Sequence, residues 1–331
     1  MHRFDPHLKL GGPSFQGVNQ DILFWPNEKG ETSWFGRFLN YLKEHGKMQE
    51  LAFFSFEHYP YDPCHIPWGS LYDEPNLIYG IVQAWRNDGL PPNVPMFITE
   101  SNLSSDAEET FMDLFGGLWL ADYIGSFLNA GGSGIYYFHY LPLQMTNDCN
   151  DSPGTFGMYT LTPDYKIKQP LSQYFASKMI NFEWLQRECN HTVFPATGTY
   201  LDGAGHTLVT TYSVLRPDGK WAVMLVNRDQ SNDHAVQIEF VNPKTKIDSY
   251  LSGKVEVATF GRNQYKWHPA RTNGKESHVL LSLDESSGLY EPGHADPDGP
   301  ILETTVQGDK TTSYDVPASS IVVVRGFLNS Q

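Results

Sequence analysis

The run Leu51-Ala-Phe-Phe-Ser-Phe56 closes on Glu57-His58-Tyr59-Pro60, and the run Val94-Pro-Met-Phe-Ile-Thr99 closes on Glu100-Ser101-Asn102. Both are short, nearly continuous apolar stretches that end in polar and aromatic residues, the pattern of a buried strand with chemistry at its carboxyl end. Leu8-Lys-Leu-Gly-Gly12, followed by Pro13-Ser14, and Gly134-Ile-Tyr-Tyr-Phe-His139, followed by Tyr140, repeat it. Helices are expected between them at about 33–46, 76–88, 107–130 and 169–187, which gives four βα units with parallel strands.

From about Thr192 the period changes. Thr207-Leu-Val-Thr-Thr-Tyr212, Trp221-Ala-Val-Met-Leu-Val226 and Ile321-Val-Val-Val324 read as strands, with Pro217-Asp218-Gly219 and Thr272-Asn273-Gly274 as turns. The expected fold class is α/β followed by all-β: residues 1–188 form the α/β part and residues 189–331 an antiparallel β-sandwich. The acidic stretch from Asp284 to Pro300 reads as a long surface loop.

The chain has 331 residues, 40% hydrophobic and 14% aromatic, enough for roughly two cores at ~150 residues per domain. Lys and Arg number 23 against 38 Asp and Glu, a formal charge of -15, which disfavours a grip on nucleic acid. The most membrane-like stretch, Leu114 to Phe138, is broken by Asp122 and by Ala130-Gly-Gly-Ser-Gly134, so no membrane span is expected. The start lacks the apolar region of a signal peptide, which fits an intracellular protein, or a secreted or periplasmic one whose front is missing. The three cysteines and 12 histidines are scattered, and Asp148, Asn150 and Asp151 have no calcium-loop spacing, so neither metal nor cofactor is expected. Cys64 and Cys149 follow the second and fourth strands on one face, where their loops can meet in a disulfide. Asn102-Leu-Ser104 and Asn190-His-Thr192 match glycosylation sequons.

Glu100 is the sharpest candidate, because a carboxylate at the last position of a buried parallel strand can act on a bound ligand. His58 and Tyr59 can hold it ionised by donating hydrogen bonds. The plainer alternatives are that Glu100 pairs near the following helix and that His58 and Tyr59 are a satisfied buried pair. Glu57 neighbours His58 on a strand and is therefore expected on the opposite face.

In this order, Lys9-Leu-Gly-Gly-Pro13, Phe54-Ser-Phe-Glu-His-Tyr-Pro60 and Ile98-Thr-Glu-Ser-Asn102 resemble the second half of the clan A retaining glycoside hydrolases. The pattern is most similar to glycoside hydrolase family 39, the β-xylosidase and α-L-iduronidase group, over roughly residues 5–185. The resemblance implies strands 5–8 of a (β/α)8 barrel, with Glu100 as nucleophile. It also implies a following sandwich, whose strands resemble Ala222-Val-Met-Leu-Val-Asn227 and Val316-Pro-Ala-Ser-Ser-Ile321. The substrate would be a glycoside, oligosaccharide or polysaccharide, with Trp68, Tyr61, Asn102, Tyr137, His139 and Tyr140 as candidate sugar contacts. Many clan A members carry Trp at the end of strand 8, where this chain has Tyr137-Phe-His-Tyr140.

The family keeps its acid/base in an Asn-Glu-Pro motif after strand 4, before the point where this chain begins, so hydrolysis is expected to be incomplete. Asp73-Glu74-Pro75-Asn76 imitates that motif and makes Glu74 a substitute candidate, although no strand leads into it and the simpler reading is a helix start, with Pro75 near the first turn and acids favouring the helix dipole. Four units cannot close a barrel, so self-association or pairing through the exposed edges is expected. The alternative function is a carbohydrate-binding or structural remnant without catalysis. An open doubly wound sheet is disfavoured because no Gly-x-Gly-x-x-Gly follows a strand.

Overall fold

The computed structural model describes residues 3–17, 30, 32–62, 64–141, 144–149, 152–162, 164–187, 190–245, 248–272, 274–276, 290–291, 293–296 and 301–329. Four strands, β1 (Leu10–Phe15), β2 (Leu51–His58), β3 (Met96–Ser101) and β4 (Gly134–Tyr137), form a parallel sheet in sequence order. Helices α1 (Trp34–Glu44), α2 (Glu74–Asn87) and α3 (Leu114–Asn129) connect them. Ser33 caps α1 by accepting from the Gly36 amide at 2.8 Å, and Asp113 caps α3 by accepting from that of Leu114 at 2.6 Å. Each expected βα unit is present, with β1 displaced two residues toward the carboxyl end of its expected run.

The alternation of β2 sorts its side chains. Phe54 and Phe56 are fully buried against Trp85 of α2, whereas Phe53 meets Phe97 of β3 edge-on at 5.9 Å on the opposite, half-open face. Gly11 of β1 lies flat on the Phe53 ring, with no room for a Cβ.

α3 is buried nearly all round, which explains why Leu114–Phe127 reads almost without polar interruption. It lies between the parallel sheet and a six-stranded antiparallel sheet. The latter contains β5 (Thr192–Phe194), β6 (Val209–Leu215), β7 (Trp221–Asn227), β8 (Leu251–Gly261), β9 (Leu302–Gly308) and β10 (Ser320–Leu328), in the order β9-β8-β10-β7-β6-β5. Ala222, Met224, Val226, Ile321 and Val323 join one hydrophobic cluster with the helices and β1–β3. Val223, Leu225, Val322 and Val324 face the other way, toward Tyr314 and Val316 of a short ladder formed by His234–Gln237 and Ser313–Val316. Both faces of the central strands are covered, so their sequences are continuously apolar instead of alternating.

The expected helix over 169–187 is realised as α4 (Ser172–Lys178), which continues as a π-helical stretch, Met179–Trp184. Two short hairpins not anticipated from the sequence, Thr146–Cys149 with Ser152–Gly154 and Tyr159–Leu161 with Ile167–Pro170, precede it. Cys64 and Cys149 form a disulfide, with Cα atoms 4.8 Å apart. Most of the expected loop from Asp284 to Pro300, together with Cys189, Asn150, Asp151 and Asn273, lies outside the described residues. Among the described residues no helix is long and apolar enough to cross a membrane.

Candidate active site

Glu100 lies near the carboxyl end of β3, and a slip in register decides where it points. Phe54, Ser55 and Phe56 pair with Met96, Phe97 and Ile98; beyond the slip, Glu57 pairs with Glu100 and His58 with Ser101. The extra residue in β3 resets its alternation. Glu100 comes level with Glu57, while Ser101 and His58 turn to the buried, helix-covered side, at 0% and 3% exposure.

Tyr59, two residues beyond Glu57, donates its hydroxyl to Glu100 Oε1 at 2.6 Å. That length is typical of a hydroxyl bonded to a carboxylate. Burial first, and then the bond to Glu100, hold the Tyr59 phenol proton far above the ordinary tyrosine range, so Tyr59 remains a donor. Burial and, after it, the negative charge of Glu100 raise the proton affinity of Glu57. Nearby, Thr99 donates to the carbonyl of Phe56 at 3.3 Å and lies 3.4 Å from the Ser14 hydroxyl, tying β1, β2 and β3 together under the carboxylates.

The expected pairing of His58 with Glu100 is corrected. His58 Nε2 is 2.8 Å from Glu74 Oε1, with both side chains buried, and its ring stacks on Tyr123 of α3 at 5.2 Å. Consecutive strand residues face opposite ways, so His58 and Tyr59 cannot both serve Glu100. The substitute acid/base reading of Glu74 is corrected as well, because Glu74 is committed to the buried pair with His58. It sits in the first turn of α2 with Pro75, as the helix-start reading requires, and is 1% exposed beneath the sheet.

Most expected sugar contacts also turn inward. Trp68 donates through Nε1 to the Arg228 carbonyl at 2.8 Å, and Tyr61 donates to the Ser70 carbonyl at 3.1 Å; both rings abut Phe115. Asn102 is fully buried and bridges the Phe138 carbonyl, the Leu103 amide and Gln173. Buried Tyr137 donates to the Phe156 carbonyl and contacts Gln173. His139 Nδ1 lies 3.1 Å from the Leu141 carbonyl at the end of β4, and Tyr140 is exposed.

Tyr140 lines a cleft of about 540 Å³ with Tyr159, Tyr174, Lys178, Phe182 and Arg187. A second cleft, of about 300 Å³, lies between α2, α3 and β6. Glu100 lines neither; it stands on the half-open face of the parallel sheet. Among the described residues no three His, Cys, Asp or Glu side chains gather as a metal site would need. Glu57 faces away from His58, as the strand alternation predicts, and shares the face of Glu100. The two-residue spacing of Glu57 and Tyr59 puts both on that face.

No protein-family model matches the chain, and no curated protein matches its sequence. Solved structures do match. A glycoside hydrolase family 44 xyloglucanase from Paenibacillus polymyxa superposes on 100% of this chain and 58% of its own, with TM-score 0.59 and 12% identity. A bifunctional glucanase-xylanase from a metagenome library covers 92% of this chain and 49% of its own, with TM-score 0.54 and 13% identity. The chain shares its fold with glycoside hydrolases. An α-L-arabinofuranosidase from Thermotoga maritima, in an arabinose complex, extends the likeness over 98% of this chain and 58% of its own, with TM-score 0.52 and 14% identity. The chain thus spans about half to three-fifths of the length of these structures.

Proposed function

We propose that this chain carries the nucleophile-bearing half of a retaining glycoside hydrolase. Its four parallel strands correspond to the second half of an eight-stranded clan A barrel, and its antiparallel sheet with the overlying ladder to the accessory β-sandwich. The observation that carries the reading is the Tyr59 hydroxyl bound to Glu100 Oε1 at the carboxyl end of a parallel strand, in a fold shared with glycoside hydrolases. The half-open face beneath it, with Phe53 and Phe97, is the one that a closed barrel would enclose. The outer flanks of β1 and β4, which no other strand pairs with among the described residues, are where the other half, or a second copy, would add. The named structures include family 44, so the likeness to family 39 stays with the three motifs.

In this reading Tyr59 fixes Oε1, and Glu100 Oε2 attacks the anomeric carbon from the side opposite the leaving oxygen, giving a glycosyl ester that water then cleaves. A site of this kind is preorganised, because Tyr59 neutralises none of the carboxylate charge yet fixes its direction.

The test is incubation with 2,4-dinitrophenyl 2-deoxy-2-fluoro-glycosides of xylose, glucose, galactose and glucuronic acid, followed by peptide mass spectrometry. A sugar mass on Glu100, lost in Glu100→Gln, supports the reading. A label on another residue, or no label with any of the four sugars, overturns it and favours a carbohydrate-binding protein without catalysis.

A further inference from the structure

Asp and Glu outnumber Lys and Arg 38 to 23 along the sequence, yet the cleft of about 540 Å³ beside α4 is lined by Lys178 and Arg187 and by no acid. Its volume is that of a small-ligand site. One wall is a face of α4 and its π-helical continuation, where Tyr174, Ser177, Lys178 and Asn181 recur at spacings of three and four residues. Tyr159, from the hairpin before α4, packs its ring 5.0 Å from that of Tyr174. Lys178 Nζ stands 5.9 Å from the centre of the Tyr174 ring, and the Arg187 guanidinium 5.8 Å from that of Phe182, a half-exposed ring. Glu183, the acid beside Phe182 in sequence, pairs with Arg325 at 2.6 Å and does not line the cleft. The cleft therefore keeps a local positive charge set among aromatic rings.

We propose that this cleft binds a short oligosaccharide bearing carboxylates, with Lys178 and Arg187 on the acid groups and Tyr159, Tyr174 and Phe182 against the sugar faces. A pyranose presents apolar C–H faces that pack on aromatic rings, and a uronic acid adds a carboxylate that an ammonium or a guanidinium fork can bind. A neutral sugar would use the rings and leave both cations without a partner. The formal charge of -15 opposes the approach of a long polyanion, so the occupant is a short acidic segment and not a nucleic acid. Glu100 lines no part of the cleft, and the cleft has no acid of its own, so the site holds glycan without cleaving it. The inference goes beyond the glycosidase reading and does not depend on it.

The experiment is calorimetric titration of the full chain with tetragalacturonate and, as the neutral counterpart, cellotetraose. Tetragalacturonate should bind at least about 10-fold more tightly, and high salt should narrow the difference. Lys178→Met combined with Arg187→Met should abolish it, and Arg187→Met alone, at an exposed position, should already weaken tetragalacturonate. Phe182→Ala should weaken both sugars several-fold, whereas Glu100→Gln should change neither. Near-ultraviolet circular dichroism shows that each variant keeps the native packing. Equal affinity for the two sugars, no binding of tetragalacturonate, no effect of Arg187→Met, or binding lost in Glu100→Gln overturns the proposal. Fluoroglycoside labelling of Glu100 is read separately, so failure of the cleft leaves the glycosidase reading in place, and failure of labelling leaves the cleft.

Discussion

Replacing Asp122 with Ala probes what fuses the two halves of the molecule. Asp122 lies in the apolar helix α3 at 0% exposure, where it accepts from Thr210 Oγ1 at 2.5 Å, the Tyr212 hydroxyl at 2.5 Å and Arg228 Nη1 at 3.0 Å. Arg228, 1% exposed, also donates to the carbonyls of Leu71, at 2.6 Å, and Thr207, and sits 5.3 Å over the Tyr72 ring. The pair therefore links α3 to β6, to the end of β7 and to the segment before α2. Removing one partner of a buried pair costs about 3–5 kcal/mol, because the other charge stays buried. The orphaned hydroxyls of Thr210 and Tyr212 add about 1–3 kcal/mol, less than additively. The loss of roughly 4–6 kcal/mol is comparable with the whole stability of many domains, about 5–15 kcal/mol. Urea unfolding followed by tryptophan fluorescence reads it. Asp122→Asn, which keeps an acceptor for the hydroxyls but not the charge, should lose less than Asp122→Ala. A loss below about 1.5 kcal/mol for Asp122→Ala would refute the reasoning.

Other outcomes follow from the same structure. Tyr59→Phe removes a hydrogen bond to a charged group, about 1.5–3 kcal/mol, so fluoroglycoside labelling of Glu100 should slow roughly 10–150-fold with the melting temperature little changed. In Glu100→Gln the Tyr59 phenol loses the partner that, after burial, holds its proton, so ultraviolet titration should show it ionising at lower pH. His58→Ala strands buried Glu74 and should cost about 3–5 kcal/mol, read by urea unfolding. Burial raises the pKa of Asp229, but the Ser231 and Asn232 amides, the Asn232 side chain and His234 outweigh it, and the net shift is downward. Its contribution is present above the unfolded value of about 3.9 and is lost as pH falls through the lower folded value, so Asp229→Asn should flatten the acid limb of the stability profile. Breaking the Cys64–Cys149 link, which spans 85 residues, should cost about 4–5 kcal/mol in the chain-entropy treatment, measurable by urea unfolding with and without reductant.

Apolar runs and helical periods made the parallel strands, their helices and the later antiparallel strands legible in the sequence. Glu100 was legible too, because a carboxylate ending a buried strand is conspicuous. The direction of its neighbours was not, since a single extra residue in β3 resets the alternation and no local signal marks it. His58 looked like a partner of Glu100 because it is adjacent to Tyr59, yet a strand sends adjacent side chains apart. Trp68 resembled a sugar platform, but its Nε1–H is taken up by the Arg228 carbonyl, 160 positions along the chain. Asp122 was read only as an interruption of an apolar stretch. A lone acid inside a helix buried all round also signals a distant cation, and Arg228 at the end of β7 is that cation.

The most direct measurement is a crystal structure of the chain after reaction with the fluoroglycoside that labels it. The account predicts a sugar joined through its anomeric carbon to Glu100, lying over the half-open face beside Phe53 and Phe97, with Tyr59 still holding Oε1. Sugar bound only in the cleft of Tyr140 and Tyr174, with Glu100 unmodified, would contradict it.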